Sequence, residues 1–324
     1  MNVDRRTGRP APVLALAVLA LVGCGESDLE ELHDGALADA LAAERAGEPD
    51  AGIAPPSSGE REPDVGAAEP TDEPLAPGEG YTLVFAEEFD DASLDESRWN
   101  TALDWGPDVV IYDQQQYYVD SLGDPDFGHS PFVLDGETLT VRAIETPETL
   151  RAAANEQPWL SGALTTAGRF DFTYGYAEAR VSMPTGQGVW PMFWMSGAEF
   201  DGLLPQLFVM ERDGAKPDSV FHNYEYTDAA GSLRSPGQFE IVEDGLAEGF
   251  HTVAVAWSPE EFLFFLDGEP RYRIVGENVA AQDMYLALGL AIGGNWTGPF
   301  DASTPRPVEW TIDYVRVWQR DGER

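Results

Sequence analysis

The sequence predicts an all-β protein, a two-sheet β-sandwich of jelly-roll type preceded by a disordered acidic linker. Three observations predict it. From Tyr81 to about residue 320, short β-rich runs such as YTLVF, TLTVRA, QLFVME, HTVAVAW and TIDYVRVW recur between turn residues, while helix signals nearly vanish. In YAEARVS, Tyr176, Glu178 and Arg180 alternate with Ala177, Ala179 and Val181, the pattern of a strand with one dry face. Leu266-Asp267-Gly268-Glu269 joins two such runs with the residues of a tight hairpin turn. About 240 residues of this material form one domain, 80–320, and no fixed-period repeat is evident in it.

The elements before the domain are of other kinds. Arg5, Arg6 and Arg9 precede an apolar run, Pro12 to Val22, too short at about 10–12 residues to span a bilayer. The run ends in Leu21-Val22-Gly23-Cys24, which resembles the lipobox of bacterial lipoproteins. That resemblance implies a signal peptide over 1–23 and acylation of Cys24, the only cysteine, so the mature domain has no disulfide. It places the protein in a bacterial cell envelope, lipid-anchored to a membrane. Where the cell is Gram-negative, Gly25 rather than Asp after the cysteine implies sorting to the outer membrane. Residues 24–79 are rich in Ala, Pro, Glu and Asp and carry almost no aromatics, so they cannot bury enough apolar surface to offset chain entropy. As a flexible tether they reach on the order of 40 Å. Residues 321–324 are a tail.

Composition excludes some partners. With 19 Lys+Arg against 58 Asp+Glu, the net charge of −39 argues against nucleic acid or an anionic surface and suits a neutral ligand. Four histidines in no ligand cluster, and the lack of a glycine-rich phosphate loop, leave no support for metal hydrolase, serine-triad or nucleotide chemistry.

One strand carries the chemistry. In LPQLFVMERDG, period 2 puts Gln206 and Phe208 on one face, and a bulge after Phe208 returns Glu211 to that face. An amide, a ring and a single carboxylate then converge.

The domain resembles glycoside hydrolase family 16, a concanavalin A-like jelly roll with a glycan cleft, and most closely its laminarinase-type members. The stretches that carry the resemblance run in family order: LVFAEEFDDASLDESRWN, SGALTTAGRFDFTYGYAEARVSMPTGQGVWPMFWM, EGFHTVAVAWSPEEFLFFLDG, LALGLAIGGNWTGP and IDYVRVWQ. The resemblance implies a polysaccharide partner, a β-1,3-glucan or related glucan or galactan, a monomer, and no cofactor in the chemistry. It implies E-x-D-x-x-E on the bulged strand, which here reads Q-x-F-x-x-E. Glu211 keeps the acid/base position, Gln206 replaces the nucleophile and Phe208 the tuning aspartate. A retaining mechanism needs two carboxylates about 5–5.5 Å apart, so hydrolysis is expected to be negligible. The resemblance also implies, by parity with the family's neighbouring strand, that Phe221, Asn223 and Glu225 face the cleft, with Glu225 the alternative carboxylate. Trp190, Trp194, Trp296, Asn295 and Tyr117 match the sugar-binding walls, and Glu88 and Asp313 match holders of a structural Ca²⁺. Three readings follow. The first is a tethered glycan-binding domain with an impaired cleft, the second an active glycosidase with a re-routed acid–base pair, and the third an envelope structural or assembly protein.

Overall fold

The computed structural model describes residues 64–67, 77–78, 80–107, 109–198, 204–228, 230–235, 239–276 and 278–322. The expected signal peptide, Cys24 and most of the expected linker lie outside the described residues. Two sheets pack face to face, as the strand pattern predicts. The eight-stranded sheet runs β13 (Leu233–Arg234), β12 (Ser219–Thr227), β11 (Gln206–Glu211), β10 (Val189–Gly197), β18 (Met284–Ile292) and β7 (Ala163–Thr165). Two short strands join it, β14 (Phe239–Val242) on β12 and β8 (Asp171–Phe172) on β18.

The eleven-stranded sheet runs β1 (Asp64–Ala67), β17 (Glu269–Val275), β16 (Glu261–Leu266), β15 (Phe250–Trp257), β9 (Gly175–Ser182) and β19 (Val308–Arg320). It continues through β5 (Leu139–Glu145), β6 (Trp159–Ser161) and β3 (Gln116–Tyr118), with β2 (Tyr81–Glu87) on β19 and β4 (Phe132–Leu134) on β5. One piece of the linker, β1, thus pairs antiparallel with β17.

Alternation builds the core between the sheets. Ala177, Ala179 and Val181 of β9 face Phe193 and Met195 of β10, Leu207 of β11 and Leu286, Leu288 and Leu290 of β18 in one buried cluster. Each large apolar side chain buried there stabilises the fold by about 1.5–3 kcal/mol before entropy is counted. The hairpin between β16 and β17 turns on Asp267 and Gly268, both left-handed (φ 52° and 79°), which matches the twist of the strands it joins.

The polar side chains on the outer face of β9 find partners on β19 and within β9. Glu178 and Arg180 are not partners of each other: Glu178 accepts the hydroxyl protons of Tyr314 (2.8 Å) and Tyr176 (3.2 Å), and Arg180 pairs with Asp313.

Candidate active site

The bulge lies where the sequence puts it. The β10–β11 register shifts between Phe193 and Trp194, and the β11–β12 register between Phe208 and Glu211. Val209 and Met210 both join the inter-sheet core, while Phe208 belongs to a separate cluster on the opposite face. Parity therefore flips within β11, and Glu211 ends on the face of Gln206 and Phe208. His222 of β12 holds the bulge: Val209 O lies 2.6 Å from its Nδ1, and a carbonyl only accepts, so Nδ1 carries the proton. Its ring is fully buried and stacks on Phe264 at 4.6 Å. Burial lowers its pKa to about 4, against the opposing effect of the Val209 carbonyl.

Opposed residues of antiparallel neighbours share a face, so the site is a grid of three rows. Met192, Glu211 and Phe221 make the first row, Trp194, Phe208 and Asn223 the second, and Ser196, Gln206 and Glu225 the third. Glu225 thus sits directly across the ladder from Gln206. Trp190 Nε1 donates to Glu211 Oε1 at 3.2 Å, and Asn223 Nδ2 donates to Glu225 Oε1 at 3.2 Å. Asn223 is itself held by the Ser235 hydroxyl, which donates to its Oδ1 at 2.9 Å. Phe208 lies 6.4 Å from Trp194 with planes 26° apart, filling the tuning position with hydrocarbon.

The aromatic wall differs from expectation. Trp190 and Trp194 are only 3% and 4% exposed, so neither is an open platform for a sugar ring. Trp296 is half-buried, edge-on to Phe221 at 5.1 Å and 5.0 Å from Trp190, and Asn295 beside it is exposed. Tyr117 faces away: it stacks on Phe127 at 5.5 Å in a cluster with Val119 and Leu160. Its neighbour Tyr118 takes the cleft side, since successive residues of β3 point oppositely.

What buries the tryptophans is a loop that sequence reasoning passed over. Leu103, Trp105, Ile111 and Tyr112 pack on Trp190, Met192, Trp194 and Phe208. Its signal was the apolar content of ALDWGPDVVIYD, high for an exposed connection. The space left beside Gln206 and Phe208 is about 20 Å³, enough for roughly one water molecule. Across this contact Tyr285 hydrogen-bonds Asp104, and burial raises the pKa of both groups.

The donor set at Glu88 and Asp313 does not fit a calcium ion. Glu88 accepts two bonds from Arg316, at 2.7 and 2.6 Å, and the guanidinium holds its pKa below the usual carboxylate value. Asp313 is paired with Arg180. A bound cation would face both guanidinium groups. The adjacent Glu87 is the inward residue, accepting from Trp99 Nε1 at 3.0 Å and from the Phe89 amide at 3.1 Å. Among the described residues no group of three or more His, Cys, Asp or Glu is placed to hold a metal.

Comparison with known proteins agrees with this architecture. The model of the family described as Glycosyl hydrolases family 16 matches residues 132–316. Endo-1,3-1,4-beta-glycanase ExsH of Rhizobium meliloti (strain 1021) is 31% identical over 74% of this chain and 52% of its own length. The chain therefore spans about half the length of that relative. Among solved structures, SCLam, a non-specific endo-beta-1,3(4)-glucanase from family GH16, superposes with a TM-score of 0.66 at 25% identity, covering 81% of this chain and 97% of that one. The laminarinase from Flavobacterium sp. UMI-01 does so with a TM-score of 0.61 at 27% identity, covering 74% and 100%.

Proposed function

The chain belongs to glycosyl hydrolases family 16, and from that premise we propose that its domain recognises a β-glucan and cleaves it negligibly. The relatives are named an endo-1,3-1,4-beta-glycanase, an endo-beta-1,3(4)-glucanase and a laminarinase, which supports the ligand class. The observation that carries the loss of chemistry is the bulged strand itself. It brings Gln206, Phe208 and Glu211 to one face, so the acid keeps its place while the amide and the ring stand where a nucleophile and its tuning acid are needed. An amide oxygen is a poor nucleophile and gives no full negative charge to an oxocarbenium-like transition state. In the same reading Cys24 is acylated and residues 25–79 tether the domain to a bacterial envelope membrane, a proposal that rests on the sequence.

Reconstruction of the motif tests the reading. Gln206→Glu alone is expected to restore little, because its carboxylate would oppose Glu225 across the ladder and lie beside Phe208 in a dry setting. Like charges so placed force one to hold a proton. Gln206→Glu with Phe208→Asp and Glu225→Gln removes both obstacles and is expected to give measurable retaining hydrolysis of laminarin. Wild-type turnover as fast as that of the triple variant would overturn the reading.

A second reading has its own observation. Glu225 lies two rows from Glu211, roughly 13 Å along the strands by the rise per residue, with side chains that can converge. An inverting pair works at about 6.5–9.5 Å, so Glu211 as acid and Glu225 as base form a chemically sound alternative. Turnover with inversion, abolished by Glu225→Gln, would establish it. Failure to bind any glucan would leave the envelope structural role.

A further inference from the structure

The buried state of the cleft has a local cause. The segment from Thr101 to Gln115, either side of residue 108, is rooted at both ends in backbone ladders. Asn100 and Thr165 exchange N–H···O bonds of 2.8 and 3.0 Å, Gln115 N donates to Ile292 O at 2.8 Å, and Gln114 bridges Gly293. Among the described residues its backbone–backbone bonds between the roots are turns of its own, Gly106 N to Leu103 O and Gln114 N to Ile111 O, with ties from Asn295 N to Tyr112 O and from the Thr165 hydroxyl to Ala102 O at 3.5 Å. Segments held this way open at lower free energy than sheet strands.

Two features at the second root set the segment apart from ordinary core. Tyr112 and Asp113 are consecutive non-glycine residues in the left-handed region, φ 55° and 56°, a conformation L side chains rarely adopt and one that clusters at switch regions. Gln114 is 4% exposed, and its Oε1 accepts from Gln116 at 2.8 Å, but its Nε2 has no hydrogen-bond partner. That amide lines the small space with Gln206, Phe208 and Trp194. The indole N–H groups of Trp159 and Trp310, deep between the sheets, also have no protein partner, but Gln114 differs in lining a space at the cleft, the place where a ligand would supply one.

We propose that Leu103, Trp105, Ile111 and Tyr112 form a displaceable plug in the glycan cleft. The chain's own apolar side chains occupy the sheet face, a glucan enters only when they leave, and Gln114 Nε2 then donates to a sugar hydroxyl. The proposal rests on the reading that this cleft takes a β-glucan. It makes the described conformation the closed partner of an open one, and apparent affinity falls by the fraction of molecules that are open.

Two measurements test it, and the first needs neither a variant nor a ligand. In the wild-type chain, amide hydrogen exchange at 103–106 and 111–113 is expected to be at least a hundredfold faster than in Val189–Gly197. Exchange as slow as in that strand overturns the plug, whatever the cleft binds. The second measurement is calorimetric titration with a β-1,3-linked glucose hexasaccharide. Leu103→Ala with Trp105→Ala is expected to bind at least tenfold more tightly than wild type, and adding Gln114→Leu to weaken that binding at least fivefold. Equal or weaker affinity in the unplugged variant overturns the proposal. Fast exchange with no binding in any variant keeps the plug and rejects the glucan reading.

Discussion

Replacing His222 by asparagine probes the bulge through its dependence on pH. The imidazole is fully buried, neutral and bonded through Nδ1 to the carbonyl of Val209, and burial lowers its pKa from 6.5 to about 4. Because the folded value lies below the unfolded one, the unfolded chain binds the extra proton first. Stability is therefore whole above the unfolded value, falls as pH drops below it and stops falling near 4. The full loss is about 3 kcal/mol, of which about 2 kcal/mol falls between pH 7 and pH 5. Many carboxylates also begin to titrate there in a chain of net charge −39, so the wild-type slope alone is not diagnostic. Asparagine keeps a donor near the Nδ1 position and does not titrate, so the difference between the two proteins isolates the histidine. Urea or thermal unfolding at pH 7, 6 and 5 is expected to show the variant less stable at pH 7 and the gap closing by about 2 kcal/mol at pH 5. In a domain of this size that is roughly 4–8 °C in Tm. A gap constant to within about 0.5 kcal/mol would refute a buried neutral imidazole at the bulge.

Other expectations are simpler. Trp190→Phe keeps an aromatic ring but removes the Nε1–H donated to the buried Glu211 together with part of the packed indole, and is expected to cost at least about 1.5–3 kcal/mol in urea unfolding at pH 7. An unchanged midpoint would show that this bond carries no weight. EDTA is expected to leave Tm unchanged, since Glu88 and Asp313 are each neutralised by an arginine; a fall of several degrees reversed by calcium would restore the ion to that place. Cys24→Ala is expected to release the protein from membranes and abolish palmitate labelling, and equal membrane retention would reject the anchor.

Much of the site was legible in sequence because it obeys strand parity. Only a bulge returns Glu211 to the face of Gln206, and comparison with the family's strand put Phe221, Asn223 and Glu225 on the same side. Parity fails where an element is too short to carry it. β3 has three residues, so the choice between Tyr117 and Tyr118 is made by parallel pairing with Trp159–Ser161, about forty residues away. The same holds for Glu87 and Glu88, which differ by one position: Trp99 takes the first and Arg316, 228 residues on, the second. The closure of the cleft was not legible. It is packing between a connection without period and strands about ninety residues further along the chain, and periodicity says nothing about where a loop rests.

The pairing of Asp64–Ala67 with Tyr272–Val275 of β17 has a consequence for association. An open β17 would offer a seven-residue row of unsatisfied N–H and C=O groups, a template for adding a strand from another molecule. Between copies of the chain, that template would favour edge-to-edge aggregation. Asp64–Ala67 covers Tyr272–Val275 from within the chain and leaves as edge its own four residues and Glu269–Arg271, where Pro270 has no N–H to offer. Asp64–Ala67 thus acts as a guard strand against other copies of the chain.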